Sequence, residues 1–265
     1  MKNTIRAVLV TTLILSCKTE DKNEVAIDQE LTEKKEMVDL SQYPDRLQDV
    51  LTAHGSLSKW SEMKSLTYIM GDQETITDLK TRDIVVKSPT HTIGSKDGKV
   101  WIDQDSTHFP EARARFYHNL MFYFYAMPFI VADDGIIYND VNPLDIQGTT
   151  YPGIKIGFQA NIGDAPDDNY IIYYHPENKK MEWLAYTVTY GKEGKSDQYS
   201  YIKYNKWQEV NGLLLPQELI WYKVEQNKPT VPQGTPRVFT KVDVDAANMD
   251  VMTFAKPENG VFVDE

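Results

Sequence analysis

The five histidines are the first place to look for chemistry in this 265-residue chain, and their spacing offers little. His54, His91, His108, His118 and His175 are scattered, no two stand four apart and no HExxH occurs, so no helix face presents a metal-binding pair. No serine lies in a GxSxG turn and the single cysteine is Cys17, which leaves nucleophilic catalysis without a local signature. Carboxylates are abundant, and abundance without geometry does not define an acid–base pair. The acidic loops 133–145 (DDGIIYNDVNPLD) and 163–169 (GDAPDDN) carry oxygen donors of the kind calcium takes, without the spacing of an EF-hand loop. Asp, Asn, Gly and Pro are equally what solvated turns are made of. The expectation is a chain that is no enzyme, with no catalytic residue, no metal and no cofactor. A formal net charge of −11 also argues against nucleic acid, whose phosphates need Lys and Arg.

Apolar chemistry is what remains. Sixteen Tyr, 9 Phe and 5 Trp supply flat faces with polar edges. They are densest in HNLMFYFYAMPFIVADDG, residues 118–135. The spacing predicts a helix over 112–126, with Phe116, Leu120 and Phe124 on one stripe and Tyr117, Met121 and Tyr125 on the next. That apolar face is wider than a surface helix shows. Pro128 should end the helix, and FIVADDG should leave it extended. The run from Leu120 to Ala132 is shorter than the roughly 20 residues a membrane span takes.

The N-terminus carries an address. Lys2 and Arg6 precede an apolar stretch from Ala7 to Leu15, then Ser16 and Cys17, the build of a secretory signal over residues 1–16. ILSC resembles the lipobox of bacterial lipoproteins, with Ile14 and Leu15 where Leu and a small residue are usual. Cys17 is thus the expected lipid-attachment residue, anchoring an acidic body at a membrane. Lys18 rather than Asp follows it, which the usual sorting rule reads as outer membrane. Residues 17–40 are dense in charge and free of aromatics, which predicts a flexible tether.

The elements that must position the apolar stripe follow from residue 41. Pro44, Leu47, Val50 and Leu51 predict a short helix closed by Gly55, and Leu57, Trp60 and Met63 a further turn. The period then becomes two. Strands are expected at 65–70, 75–80, 83–88, 90–95, 99–104, 153–160, 170–175, 181–190, 198–207, 213–224 and 237–246. Lys96-Asp97-Gly98 and Asn211-Gly212 are hairpin turns, and loops this short require antiparallel neighbours. In 237–246 the even positions Val238 to Val244 should be buried; in 181–190 large residues on both faces call for cover on both. The predicted fold is α+β but mostly β. A single curved antiparallel sheet of about eleven strands forms an unclosed half-barrel over 41–265, with short N-terminal helices and a lid helix on its concave face.

The order AHGSLSKW, SLTYIM, FYFYAMPFIVADDG, YPGIKIGF, DNYIIYYHPENKKMEWLAYT, KWQEVNGLLLPQEL resembles an uncharacterised lipoprotein family of Bacteroidota. That family is similar to the LolA/LolB superfamily of lipoprotein carriers, over residues 43–257. The resemblance implies an open antiparallel barrel whose helices cover a hydrophobic cavity. Phe116, Leu120, Phe124, Met127 and Phe129 from the insertion, and Trp183, Tyr186 and Trp221 from strands, are the expected wall. The implied protein is a lipid-anchored cell-envelope protein, facing the periplasm or the cell surface, that binds a lipid, an acyl chain or another apolar small molecule. An envelope protein could receive the cargo. The alternatives are a scaffold lipoprotein whose core is filled by its own aromatics, and an envelope hydrolase.

Overall fold

The computed structural model describes residues 38–158, 168–189 and 196–263; the signal, Cys17 and most of the tether lie outside the described residues. Among the described residues there are three α-helices, α1 (Asp45–Ala53), α2 (Leu57–Glu62) and α3 (Glu111–Tyr125). Five strands precede α3: β1 (Ser65–Met70), β2 (Gln73–Asp78), β3 (Ile84–Lys87), β4 (His91–Lys96) and β5 (Lys99–Gln104). After it come β6 (Ile136–Asn139), the pair β7 (Leu144–Ile146) and β8 (Thr149–Tyr151), then β9 (Gly153–Phe158), β10 (Tyr170–Tyr174) and β11 (Met181–Tyr186). The chain continues through β12 (Ser200–Val210), β13 (Leu213–Glu225), β14 (Lys228–Pro232), β15 (Arg237–Asp245) and β16 (Val261–Phe262).

Fourteen strands form one antiparallel sheet in the order β16-β5-β4-β3-β2-β1-β15-β13-β12-β11-β10-β9-β6, with β14 also on β13. All eleven expected strands are in it, and β6, β14 and β16 add to them. The sheet curves and does not close on itself. Its turns follow turn chemistry: Asp97 and Gly98, like Asn211 and Gly212, have the paired positive φ of tight hairpins.

One face carries the helices. Leu47, Val50 and Leu51 of α1, Trp60 of α2 and Phe122, Phe124 and Tyr125 of α3 share a core with strand residues such as Leu66, Ile156, Leu184, Ile202 and Phe239. Val38 and Leu40 already pack against this core, and the Val38 amide donates to Ser58 Oγ at 3.2 Å. The opposite face is covered in part by the β7–β8 hairpin, whose Leu144 and Tyr151 pack with Ile171, Tyr173 and Trp183. β11 is therefore covered on both faces, as its composition requires.

Two expectations need correction. Phe129–Ala132 is a 3₁₀ turn rather than an extended exit. In β15 the buried residues are Phe239 and Val244, an odd number apart, while Val238 is 43% exposed. Lys241 at φ 48° and a shift of register against β1 put a bulge between them, and an extra residue exchanges the two faces.

The sheet also ties down the end of α3. Tyr204 on β12, 1% exposed, donates its hydroxyl to the carbonyl of Phe124 at 2.6 Å, one of the orphan acceptors at a helix end. Tyr204→Phe is expected to cost about 1–2 kcal/mol by leaving that carbonyl dry and unpaired. A urea titration at neutral pH reads this as a lower midpoint at unchanged slope.

Candidate functional site: a cavity under helix α3

Helix α3 has two working stripes. Ala114, His118, Phe122 and Tyr125, at helical spacing, are buried. Phe116, Leu120, Tyr123, Phe124 and Met127 recur as i, i+4, i+7, i+8 and i+11 on the other side and line a cavity of about 270 Å³. The facing wall comes from β9, β10 and β11. Tyr186, Tyr170 and Ile156 stand directly opposite one another across these three strands, so their side chains share one face. Phe158 stands two residues beyond Ile156 on that face, with its ring centroid 5.8 Å from that of Tyr170. Ile130 and Val131 of the 3₁₀ turn, Ile136 of β6 and Val188 add to the apolar lining.

Behind the wall the aromatics are locked. The Phe124 ring meets Tyr186 at 4.9 Å and Trp221 at 5.8 Å, and the Trp221 indole N–H donates to the Tyr186 hydroxyl at 2.9 Å. Burial raises the Tyr170 and Tyr186 phenols above their ordinary value, with the Asp168 charge adding to it, while the bond from Trp221 pulls Tyr186 back. Both rings stay neutral at physiological pH.

The polar part of the cavity is acidic. Asp133 and Asp134 stand at its exposed side, and Asp168, 8% exposed, belongs to its wall. Asp168 accepts the Thr189 amide at 2.7 Å and its hydroxyl at 2.8 Å. Asp133 accepts Nη2 of Arg82 at 2.8 and 2.9 Å, while the Arg82 guanidinium lies over the Phe122 ring. Desolvation raises the Asp133 carboxyl above its ordinary value, against the opposing pull of Arg82. Both acidic loops singled out in the sequence thus contribute to one mouth. Among the described residues no three His, Cys, Asp or Glu side chains gather as a metal site.

The histidines lie elsewhere, and none lines the cavity. His108 Nε2 meets both Ser106 Oγ at 2.7 Å and Asp105 Oδ1 at 2.9 Å, on one exposed loop. A relay from serine to carboxylate needs both ring nitrogens, so this trio is not built as a triad. Among the described residues no helix is long and apolar enough to cross a membrane.

A sequence model for a family of unknown function, DUF6503, matches residues 3–228. The chain belongs to the DUF6503 family. No curated protein matches it in sequence. Among solved structures, the DUF6503 chain is similar to a LolA superfamily protein from Nitrosomonas europaea, at 9% identity and TM-score 0.41, covering 72% of this chain and 87% of that one. It is also similar to a DUF1329 family protein from Desulfovibrio piger, at 8% identity and TM-score 0.44, covering 78% and 98%. A domain from Vibrio parahaemolyticus named for outer membrane lipoprotein sorting aligns at 4% identity and TM-score 0.36, covering 76% and 96%.

Of the residues expected to wall a cavity in this DUF6503 protein, Phe116, Leu120, Phe124, Met127 and Tyr186 come together at it. Trp221 stands behind Phe124 and Tyr186. Phe129 is fully buried in the core, stacked on Trp60 at 4.8 Å. Trp183 lies on the opposite face of the sheet, edge-on to Tyr222 at 4.8 Å. Sequence reasoning missed Tyr123, Ile156, Phe158 and Tyr170, and marked the three aspartates only as members of acidic loops. Tyr123 had a signal, seven residues from Phe116 on the same stripe; Asp168 stood out only as part of an acidic loop, because its place beside Thr189 comes from folding.

Proposed function

We propose that this DUF6503 protein binds one apolar ligand in the cavity between α3 and strands β9–β11, at a membrane to which acylated Cys17 anchors it. In this reading residues 1–16 are the signal, 17–40 the lipidated cysteine and its tether, and the body sits in the bacterial cell envelope. The observation that supports the proposal most is open volume between the Phe116–Leu120–Tyr123 stripe of α3 and the aromatic face of strands β9–β11. About 270 Å³ is the liquid volume of roughly nine waters. It suits one short acyl segment or one ring system rather than several chains. Burial at about 25 cal/mol per Å² would supply the affinity, with little polar readout beyond the rim. A wholly filled scaffold is less well supported, since about 270 Å³ stays open beside the packed core.

The test is native mass spectrometry of the purified chain for co-purifying apolar mass, together with displacement of a neutral fluorescent probe. Leu120→Trp adds volume to the cavity and leaves the residues of the Phe124–Tyr186–Trp221 cluster unchanged. It is expected to weaken probe binding at least about tenfold while leaving thermal stability equal or higher. Wild-type affinity in that variant, or repeated absence of any bound apolar mass, overturns the proposal. Acylation has its own test: a Cys17→Ser variant that still fractionates with membranes would refute it.

A further inference from the structure

We propose that the turn at 133–135 is the gate through which the cavity exchanges its ligand, and that Arg82 is the latch that holds this turn at the mouth. The inference rests on the reading of the cavity as a ligand site and adds how that site opens.

The exposed positions of the described lining are Tyr123 on α3 and Asp133 and Asp134 before β6. Tyr123 stands on a helix that is fixed, with one stripe buried and the Phe124 carbonyl held by Tyr204 at 2.6 Å. The wall opposite is held by the ladders that join β9, β10 and β11. Residues 133–135 have neither restraint. They lie outside any helix or strand, and Gly135 takes φ 79°, a backbone state that glycine enters at little cost.

Both flanks of the turn are anchored. Upstream, Phe129 stacks on Trp60 at 4.8 Å, the Tyr138 hydroxyl donates to the Val131 carbonyl at 2.7 Å, and the Tyr43 hydroxyl to the Ala132 carbonyl at 3.0 Å. Downstream, β6 pairs with β9 from Ile136↔Phe158 to Asn139↔Lys155. Opening is thereby confined to the few exposed residues between, the kind of segment that opens locally at low cost.

One side chain crosses to this turn from the first meander. Arg82, between β2 and β3, donates Nη2 to both oxygens of Asp133 at 2.8 and 2.9 Å, and its guanidinium carbon lies 5.2 Å from the centre of the Phe122 ring on α3. It joins the turn to the lid helix, and it is not part of the cavity lining. Arg82 can therefore set how often the turn opens without touching the ligand. The pair is partly exposed, at 32% and 43% for the two side chains, so it biases the turn and still breaks readily on each exchange.

Stopped-flow binding of the neutral probe N-phenyl-1-naphthylamine to the purified chain reads the gate. A latch that favours the held form of both the free and the loaded protein slows entry and exit alike. Arg82→Gln is expected to raise the association and dissociation rate constants together, each about fivefold, while Kd moves less than about twofold. Arg82→Lys, which keeps the charge and loses the planar fork, should fall between. Asp133→Asn, which removes the charge from the turn itself, should also speed both steps, and added salt should speed them more in the wild type than in Arg82→Gln. Wild-type rates in both Arg82→Gln and Asp133→Asn overturn the inference and leave the apolar-ligand reading standing. A weaker Kd in Arg82→Gln that comes from faster release alone overturns it too, since Arg82 would then belong to binding rather than to gating. If the wild type does not bind the probe, both readings fall.

Discussion

Gly94→Ala is expected to destabilise the protein by about 3 kcal/mol, the upper end of what a single added methyl costs in a packed interior. Gly94 lies directly opposite Trp101 across β4 and β5, and the indole lies over it. A Cβ at position 94 would stand 2.2 Å from Trp101 Cζ2 and 2.5 Å from Cε2. The ring cannot swing away cheaply. It is 2% exposed, packed with Ile76, Val85 and Phe254, and its N–H donates to the Phe254 carbonyl at 3.1 Å. The strain is steric, and it falls on the contact between the sheet and the 3₁₀ turn at Val251–Phe254. Guanidinium unfolding followed by tryptophan fluorescence should show the midpoint drop; an alanine variant with the wild-type midpoint would mean that the indole is not where this packing puts it.

Acidification from pH 6.5 towards pH 4 is expected to remove about 3 kcal/mol of stability through His54 alone. This residue follows α1, is fully buried, and packs edge-on to Trp207 at 4.5 Å. Its Nδ1 lies 2.8 Å from the Val50 carbonyl, while Nε2 has no partner. Burial lowers its pKa from 6.5 to about 4, against a smaller upward pull from Val50. The sign follows from the proton count. Below pH 6.5 the unfolded chain takes up a proton that the folded chain refuses until about pH 4, so folding is progressively penalised across that window. Above 6.5 both states are neutral and the term vanishes. Urea stability measured from pH 4 to 7.5 should therefore rise more steeply in the wild type than in His54→Leu, by up to about 1.4 kcal/mol per pH unit. Comparing the two isolates His54 from Asp133, whose raised carboxyl works in the opposite direction. A difference between the curves that does not change with pH would sink the argument.

Much of this architecture was legible because period two is a strong signal in long strands. The expected strand at 213–224 lies within β13 and that at 65–70 coincides with β1. The additional strands escaped for the opposite reason. β6, β7, β8 and β16 have four residues or fewer, and β14 reads KPTVP, whose two prolines argue against a strand. The bulge at Lys241 had no residue-type signal, since lysine seldom takes positive φ, and so Val238 and Thr240 before it turn outward while Val242 and Val244 after it keep the expected face. At the site, spacing marks the α3 stripe from Phe116 to Met127. Size alone does not say which face a strand residue takes, and Trp183 alternates away from Leu184 onto the β7–β8 side. The wall of β9 and β10 depends on pairing between strands, which no local pattern encodes.

β15 joins two meanders that are each local in sequence. On one side it pairs with β1 from Ser65↔Asp245 to Met70↔Phe239, and on the other it meets β13 at Glu218↔Val238 and Leu219↔Arg237. A polypeptide emerging from its N-terminus can therefore assemble β1–β5 early, yet the β1 edge has no partner until residues 237–245 have followed. Throughout that interval Leu66 and Tyr68, among the most deeply buried side chains of the finished molecule, sit on an unmatched strand that any other extended segment could join. Late arrival of β15 would therefore be the step at which a holding chaperone matters most.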